Sequence, residues 1–319
     1  MTLRLFMLAI VAIASIFTGL TQGSVSIPFS QFFTAETLHY QIIWELRFPR
    51  VISAFIVGGS LAIAGALMQI LLRNPLADPY ILGISGGAGV GALTALMLGL
   101  GTVFVQSLAF SGAMLTTLLV FVLAREHGRQ DSTRLLLTGV VLAAGWGAII
   151  SLLLTLSPDS QVKGLLFWLM GDLGAATPSW WSLLALFAGL IAALLVSRSL
   201  NLLAAGEAQA AVLGVEVPAV RLIIYLSAAL LTASAVTQAG PIGFVGLIIP
   251  HLLRLSGFHD HRLLLPACLF AGGSLLVIAD TLARTVIAPG ELPVGVLTAF
   301  LGVPLFLYLL GKQNRATYD

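Results

Sequence analysis

Ten apolar runs divide this chain, at about residues 3–20, 50–72, 81–99, 105–124, 135–156, 180–197, 221–238, 242–255, 263–280 and 294–311. The polar segments between them are mostly short. The runs carry no polar face, and a soluble core helix has no reason to be apolar all round over such lengths. A helix of about 20 apolar residues matches the hydrocarbon thickness of a bilayer. The pattern therefore predicts an all-α integral membrane protein with about ten transmembrane helices. The stretch 47–92 displays the arrangement: RFPR, then VISAFIVGGSLAIAGALMQILL, then a proline-bracketed turn from Arg73 to Pro79, then a glycine-rich second run. The run 242–255 is the irregular one, because glycines at 240, 243 and 246 argue against helix throughout.

Composition supports the pattern. Hydrophobic residues make up 59% of the chain and charged residues 9%, where a soluble domain has roughly a quarter charged. The net charge of +2 comes with no basic run interleaved with aromatics, so nucleic acid is not an expected partner. One cysteine, Cys268, permits no internal disulfide. The chain contains no CxxC, GxSxG, HExxH or GxxxxGK[ST] motif. No catalytic group, cofactor or metal is expected; if the chain's activity is driven by ATP, hydrolysis must occur on another chain. GAGVGA at 87–92 matches a loose dinucleotide fingerprint, but it lies in an apolar run without a preceding strand or a following acid. Residues 5–20 could pass for the core of a signal peptide. Only Arg4 precedes them and no A-x-A site follows, so they are read as an uncleaved first crossing.

Charge sets the orientation. An even number of crossings puts both termini on one side. If that side is cytoplasmic, the inside holds Arg4, Arg73, Arg125, Arg129, Arg134, Arg198, Arg221, Arg254, Arg262, Lys312 and Arg315, and the outside holds Arg47, Arg50, Lys163 and Arg284. The positive-inside rule then predicts cytoplasmic termini and a single transmembrane domain over 1–319. Small residues recur every fourth position as Gly58/Ala62/Ala66, Gly83/Gly87/Gly91 and Gly139/Ala143/Gly147. Such rows let helices pack closely in lipid.

Several segments stand out between the runs. Gly23–Glu45 and Pro158–Ser179 are the long outside segments; the second is amphiphilic, and reads equally as an interfacial helix or as a loop anchored by aromatics. Ser197–Pro218 is too short and broken to span, and glycines at 206 and 214 would end two short helices in turn. Gln69, Asn74 and Asp78 gather at the turn after the second run, as an inner gate or a structural clamp. Arg47, Arg50 and Arg284 sit at outside ends of crossings, where headgroup anchoring is the ordinary role. Asp280 and Arg284 are four apart and would pair along one helix. His251, His259 and His261 fall near or in an inside loop, and nothing requires a metal there.

Three long stretches carry a resemblance: 47–85 (RFPRVISAFIVGGSLAIAGALMQILLRNPLADPYILGIS), 240–266 (GPIGFVGLIIPHLLRLSGFHDHRLLLP) and 279–306 (ADTLARTVIAPGELPVGVLTAFLGVPLF). They are similar to the FecCD-type permease subunits of bacterial importers for ferric siderophores, haem and vitamin B12. The resemblance implies a type II ABC importer permease fold in the inner membrane. It also implies a homodimer enclosing the pathway, a pair of ATP-binding subunits carrying ATP and magnesium, and a periplasmic binding protein that delivers the cargo. In that family a segment resembling L-x-x-G-E-x-x-A-x-x-L-G docks the ATPase; Leu203, Gly206, Glu207, Ala210, Leu213 and Gly214 match it, within coupling helices at about 198–218. The family's arginines at the positions of Arg47, Arg50 and Arg284 meet glutamates of the binding protein. The expected activity is ATP-driven import of a metal chelate by alternating access, with a ferric siderophore as leading cargo and cobalamin next. The competing reading is an ion-coupled secondary transporter, for which Asp280 is the one carboxylate within a crossing.

Overall fold

The computed structural model describes residues 2–23, 25, 32, 38–126, 129–130, 132–174, 176 and 178–315. Most of 24–37 in the first long outside segment lies outside the described residues, as do the side chains of Arg125, Arg129, Lys312 and Arg315. The described residues form fourteen helices: α1 (Thr2–Thr21), α2 (Leu38–Gln41), α3 (Phe48–Leu71), α4 (Ile84–Met97), α5 (Thr102–Leu123), α6 (Ser132–Leu156), α7 (Asp159–Leu169), α8 (Trp180–Leu195), α9 (Ser197–Ala205), α10 (Glu207–Val212), α11 (Val217–Ala239), α12 (Val245–Leu255), α13 (His261–Thr285) and α14 (Val294–Arg315). A π-helical stretch, Ile42–Arg47, joins α2 to α3, and a 3-10 turn, Pro79–Leu82, precedes α4. Two-residue strands β1 (Arg125–Glu126) and β2 (Arg129–Gln130) pair antiparallel between α5 and α6.

Each of the ten apolar runs is helical over most of its length, but the helices are unequal. Among the described residues six are long and apolar enough to cross a membrane, and the pair α8–α9, bent by 62°, makes a seventh if counted as one span. α4, α12 and the part of α14 to Leu309 are shorter apolar helices. The reasons are local. Gly83 takes φ 73° and separates the 3-10 turn from α4. Gly240 at φ 66° and Phe244 at φ 72° are left-handed and delay α12 until Val245. The run 242–255 therefore yields only 11 helical residues, about 16 Å of rise, or half a bilayer.

α3 is the central column. Nineteen of its 24 residues are buried, against two of 25 in α6. α11, α12 and α13 pack around it, and the small residues set how closely. A Cβ on Gly58 would lie 2.3 Å from the Gly272 carbonyl oxygen, and one on Gly65 would lie 1.9 Å from that of Gly246. Gly87 and Gly91 likewise abut the Gly112 and Leu108 carbonyls of α5. The third row is only half used: Gly139 meets Ile81 and Leu82, while nothing lies within 4 Å of a Cβ on Gly147. Within α6 only Leu135 and Gly139 are buried, and Leu137, Val140, Val141 and Leu152 are exposed.

Candidate functional site

Two polar clusters sit at the two ends of α3, whose 24 residues rise about 36 Å. Residues assigned by charge to one side of the membrane gather at one end. Arg4 of α1 donates to the Ser256 carbonyl at 2.6 Å, Arg254 donates to Gln69 Oε1, and Arg73 and Arg221 meet Glu207. Arg47, Arg50 and Arg284 gather at the other end.

At the first end the chain leaves α8, bends, and forms α9 and α10. Gly206 between them takes φ 138°, a conformation only glycine adopts without strain, and Gly214 after α10 takes φ 83°. The glycines therefore end two short helices, as their spacing predicts. Leu200, Leu203 and Ala210 face the bundle and are buried. Val212 and Leu213 are 87% and 65% exposed and form an apolar tip. Glu207 is the anchor of the hairpin: its Oε2 lies 2.7 Å from Arg73 Nη2, and its Oε1 accepts from Arg221. Arg221 also donates to Ser132 Oγ at 3.2 Å, and that hydroxyl donates to the Leu71 carbonyl at 2.9 Å. Asn201 of α9 donates to Asp260 Oδ1 at 2.9 Å and accepts from the His261 N–H at 2.9 Å, tying α9 to the start of α13. The Asn201 amide and the Arg262 backbone N–H hold the Asp260 carboxyl below the usual range.

Of the three turn residues, the fold brings two together. Gln69 donates to the Leu247 carbonyl at 3.2 Å. Asp78 Oδ1 accepts from the Tyr80 N–H at 2.9 Å, and its carboxylate also bonds the Phe244 N–H. Both residues thus clamp the turn after α3 onto the start of α12. The Tyr80 hydroxyl accepts from the Ile242 N–H at 3.1 Å on the same segment. Burial pushes the Asp78 carboxyl up to about 6. Asn74 stays apart: its Oδ1 accepts from the Leu76 N–H at 2.9 Å and closes the local turn.

At the second end, Asp280 of α13 holds two arginines. Arg50 Nε donates to Asp280 Oδ1 at 2.9 Å, and Arg284 Nε lies 3.0 Å from Oδ2. Arg50 Nη1 reaches Glu291 Oε2 at 2.8 Å. Arg47 Nη1 donates to the Leu20 and Thr21 carbonyls at 3.0 Å each, capping the end of α1, and Nη2 donates to the Val25 carbonyl. The three arginines line a recess of about 380 Å³ with Glu291. The sequence pattern suggests arginines standing at a membrane edge. In the fold Arg47, Arg50 and Arg284 are 6%, 9% and 5% exposed and each has a partner within the chain. Glu291, with 41% side-chain exposure, is the more reachable charge.

Sequence reasoning groups Arg73, Arg221 and Arg254 on one side without finding their partners Glu207 and Gln69. Only their shared side was legible, because the partners lie 14 to 185 residues away.

The described residues thus form a helical membrane bundle with a bent helical hairpin at one end and an arginine-lined recess at the other. The chain belongs to the FecCD transport family, whose model matches residues 7–312. It is 40% identical over 316 residues to a vitamin B12 import system permease protein of Klebsiella pneumoniae, covering 97% of this chain and 94% of that protein. Its match to the protein of that name in Escherichia coli is 42% over 279 residues, 86% and 84% of the two chains. Its fold matches a metal-chelate type ABC transporter solved in an inward-facing conformation, with a TM-score of 0.87, 31% identity and coverage of 98% of this chain and 100% of that one. It is a permease of the metal-chelate and vitamin B12 ABC importer family, a multi-pass protein of the bacterial inner membrane.

Proposed function

We propose that this chain is the transmembrane subunit of an ATP-driven importer that carries a metal chelate from periplasm to cytoplasm by alternating access. The observation that carries the reading is the α9–α10 hairpin. Its base is fixed by Glu207 between Arg73 and Arg221, and its apolar tip at Val212 and Leu213 is exposed. A lever of this kind transmits force to the bundle only if its root is rigid, and this root ties α10 to the turn after α3 and to α11. ATP and magnesium act on a pair of separate ATP-binding subunits docked on the tip, with both termini on that cytoplasmic side and ten crossings in all. The nearly unburied α6 supports a second copy of the chain as partner across the pathway, since a bare row of small and apolar residues suits helix packing in lipid. The names of relatives at about 40% identity favour vitamin B12 over a ferric siderophore as cargo.

The binding protein docks over the recess of Arg47, Arg50 and Arg284. Its acidic groups exchange with Glu291 there. The ion-coupled reading is disfavoured by Asp280, whose carboxylate is taken by Arg50 and Arg284 and so is poorly placed to bind and release a coupling ion.

The test is uptake into proteoliposomes holding this chain with its ATP-binding subunit and binding protein, using cyanocobalamin and a ferric siderophore as cargoes. Uptake requiring ATP is expected. Uptake by this chain alone under a proton gradient would overturn the assignment.

A further inference from the structure

Beside the α9–α10 hairpin lies a recess of about 360 Å³, lined in part by Gln69, Arg73, Gly206, Arg254 and His261. None of its lining residues is a carboxylate. Arg254 donates Nη1–H to Gln69 Oε1, which engages one of a guanidinium's five N–H groups. Arg73 keeps 51% of its side chain exposed while its Nη2 pairs with Glu207. His261 is 2% exposed. Its Nδ1 lies 2.6 Å from Asn201 Oδ1, a carbonyl oxygen that can only accept, so Nδ1 carries the ring proton. Its Nε2 is buried and has no partner among the described residues. Buried polar atoms are nearly always satisfied, so this nitrogen points to a missing ligand. The acidic groups nearby are already engaged: Glu207 by Arg73 and Arg221, and Asp260 by Asn201 and the Arg262 N–H.

We propose that this recess binds a phosphate group, held between the guanidinium groups of Arg73 and Arg254, with the lone pair of His261 Nε2 accepting from a ligand hydroxyl, the P–OH of hydrogen phosphate or a glycerol O–H of a headgroup. Guanidinium groups bind phosphate oxygens in pairs and with directional specificity. Basic pockets between membrane helices on the cytoplasmic side take phospholipid headgroups, and a free phosphate ion presents the same oxygens. A ligand here would brace the turn after α3, the Gly206 hinge and the start of α13 together.

The experiment uses the purified complex of this chain with its ATP-binding subunit. In one arm, thermal stability in detergent is followed as inorganic phosphate replaces chloride at constant ionic strength. In the other, the complex is placed in nanodiscs of phosphatidylcholine with or without phosphatidylglycerol, and retained lipid is counted by native mass spectrometry. Arg73→Gln and Arg254→Gln are each expected to weaken binding about tenfold, while Arg198→Gln, an exposed cation on α9, leaves it unchanged. If Arg254→Gln fails to fold, the more exposed Arg73→Gln carries the test. Stabilisation by phosphate identifies a free ion as ligand, and selective retention of phosphatidylglycerol identifies a headgroup. No binding in either arm, or binding insensitive to Arg73→Gln, or equally lost in Arg198→Gln, rejects the site.

Discussion

Arg50 and Asp280 are 230 positions apart in the chain and 2.9 Å apart in the fold. Their pair joins the first turn of α3 to the last turns of α13, and Arg284 completes it on the other carboxylate oxygen. Removing one partner of a buried ion pair strands the other, at about 3–5 kcal/mol. Asp280→Asn alone is expected to lower thermal stability sharply in detergent. The double variant Arg50→Gln with Asp280→Asn is expected to lose less than the sum of the two singles. Simple additivity would show that the pair is not coupled.

The same site makes a sharper prediction about docking. Glu291 occupies Arg50 Nη1 at 2.8 Å from a partly exposed position. If an acidic group of the binding protein takes that place, Glu291→Gln should free Arg50 and tighten docking several-fold, and Arg50→Gln should weaken it. Surface plasmon resonance on the reconstituted permease reads both. An unchanged affinity in the two variants removes Arg50 from the docking surface.

Glu207→Lys places a third cation beside Arg73 and Arg221. The hairpin should lose its root while the bundle, held by α3 and its neighbours, keeps its fold. ATP-dependent uptake is expected to fall to background, with the ATP-binding subunit co-purifying poorly. Normal co-purification together with normal uptake would remove this residue from the coupling machinery.

Asp78 gives a pH-dependent signature. Its carboxyl is raised by burial from the ordinary 3.8 to about 6. At pH values between these, the unfolded chain has released the proton that the folded chain still holds. Asp78 therefore makes stability fall as pH rises from about 4 through about 6, and the full penalty remains above that. Asp78→Asn keeps an acceptor for the capping N–H groups and carries no charge. Its melting temperature relative to the unaltered protein should improve between pH 4 and pH 7; a constant difference would show that Asp78 does not titrate in this range.

Gly65→Ala puts a methyl group where the Gly246 carbonyl oxygen would be 1.9 Å away. α3 and α12 must separate, which overpacking data put at about 1–3 kcal/mol. Gly164→Ala, where nothing lies within 4 Å, should be neutral or slightly stabilising because alanine favours helix. Equal stability of both variants would mean that the α3–α12 contact is looser than drawn.

The hairpin was legible from residues 197–218 because glycines at 206 and 214 act locally: each ends a helix through its own backbone freedom. The separation of Arg4, Arg73, Arg221 and Arg254 from Arg47, Arg50 and Arg284 was legible because the order of apolar runs puts them at opposite ends. The arginine site was legible only as positions. Whether Arg50 meets solvent or Asp280 depends on how α13 packs on α3, and no local pattern encodes that. The half-length α12 was foreshadowed by Gly240, Gly243 and Gly246, yet the left-handed Phe244 was not, since phenylalanine rarely adopts that conformation.

The sequence by itself determined that this chain lives in a membrane, that its ten apolar runs are helical over most of their length, and that Arg4, Arg73, Arg221 and Arg254 lie at the opposite end from Arg47, Arg50 and Arg284. These follow from burial of apolar surface and from the need of every backbone amide in lipid to find a partner within its own helix. Tertiary structure decided which charges are spent on one another, which small-residue rows are used and which face of α6 is left bare. Those outcomes depend on contacts between residues tens to hundreds of positions apart, and only the packed bundle brings them within bonding distance.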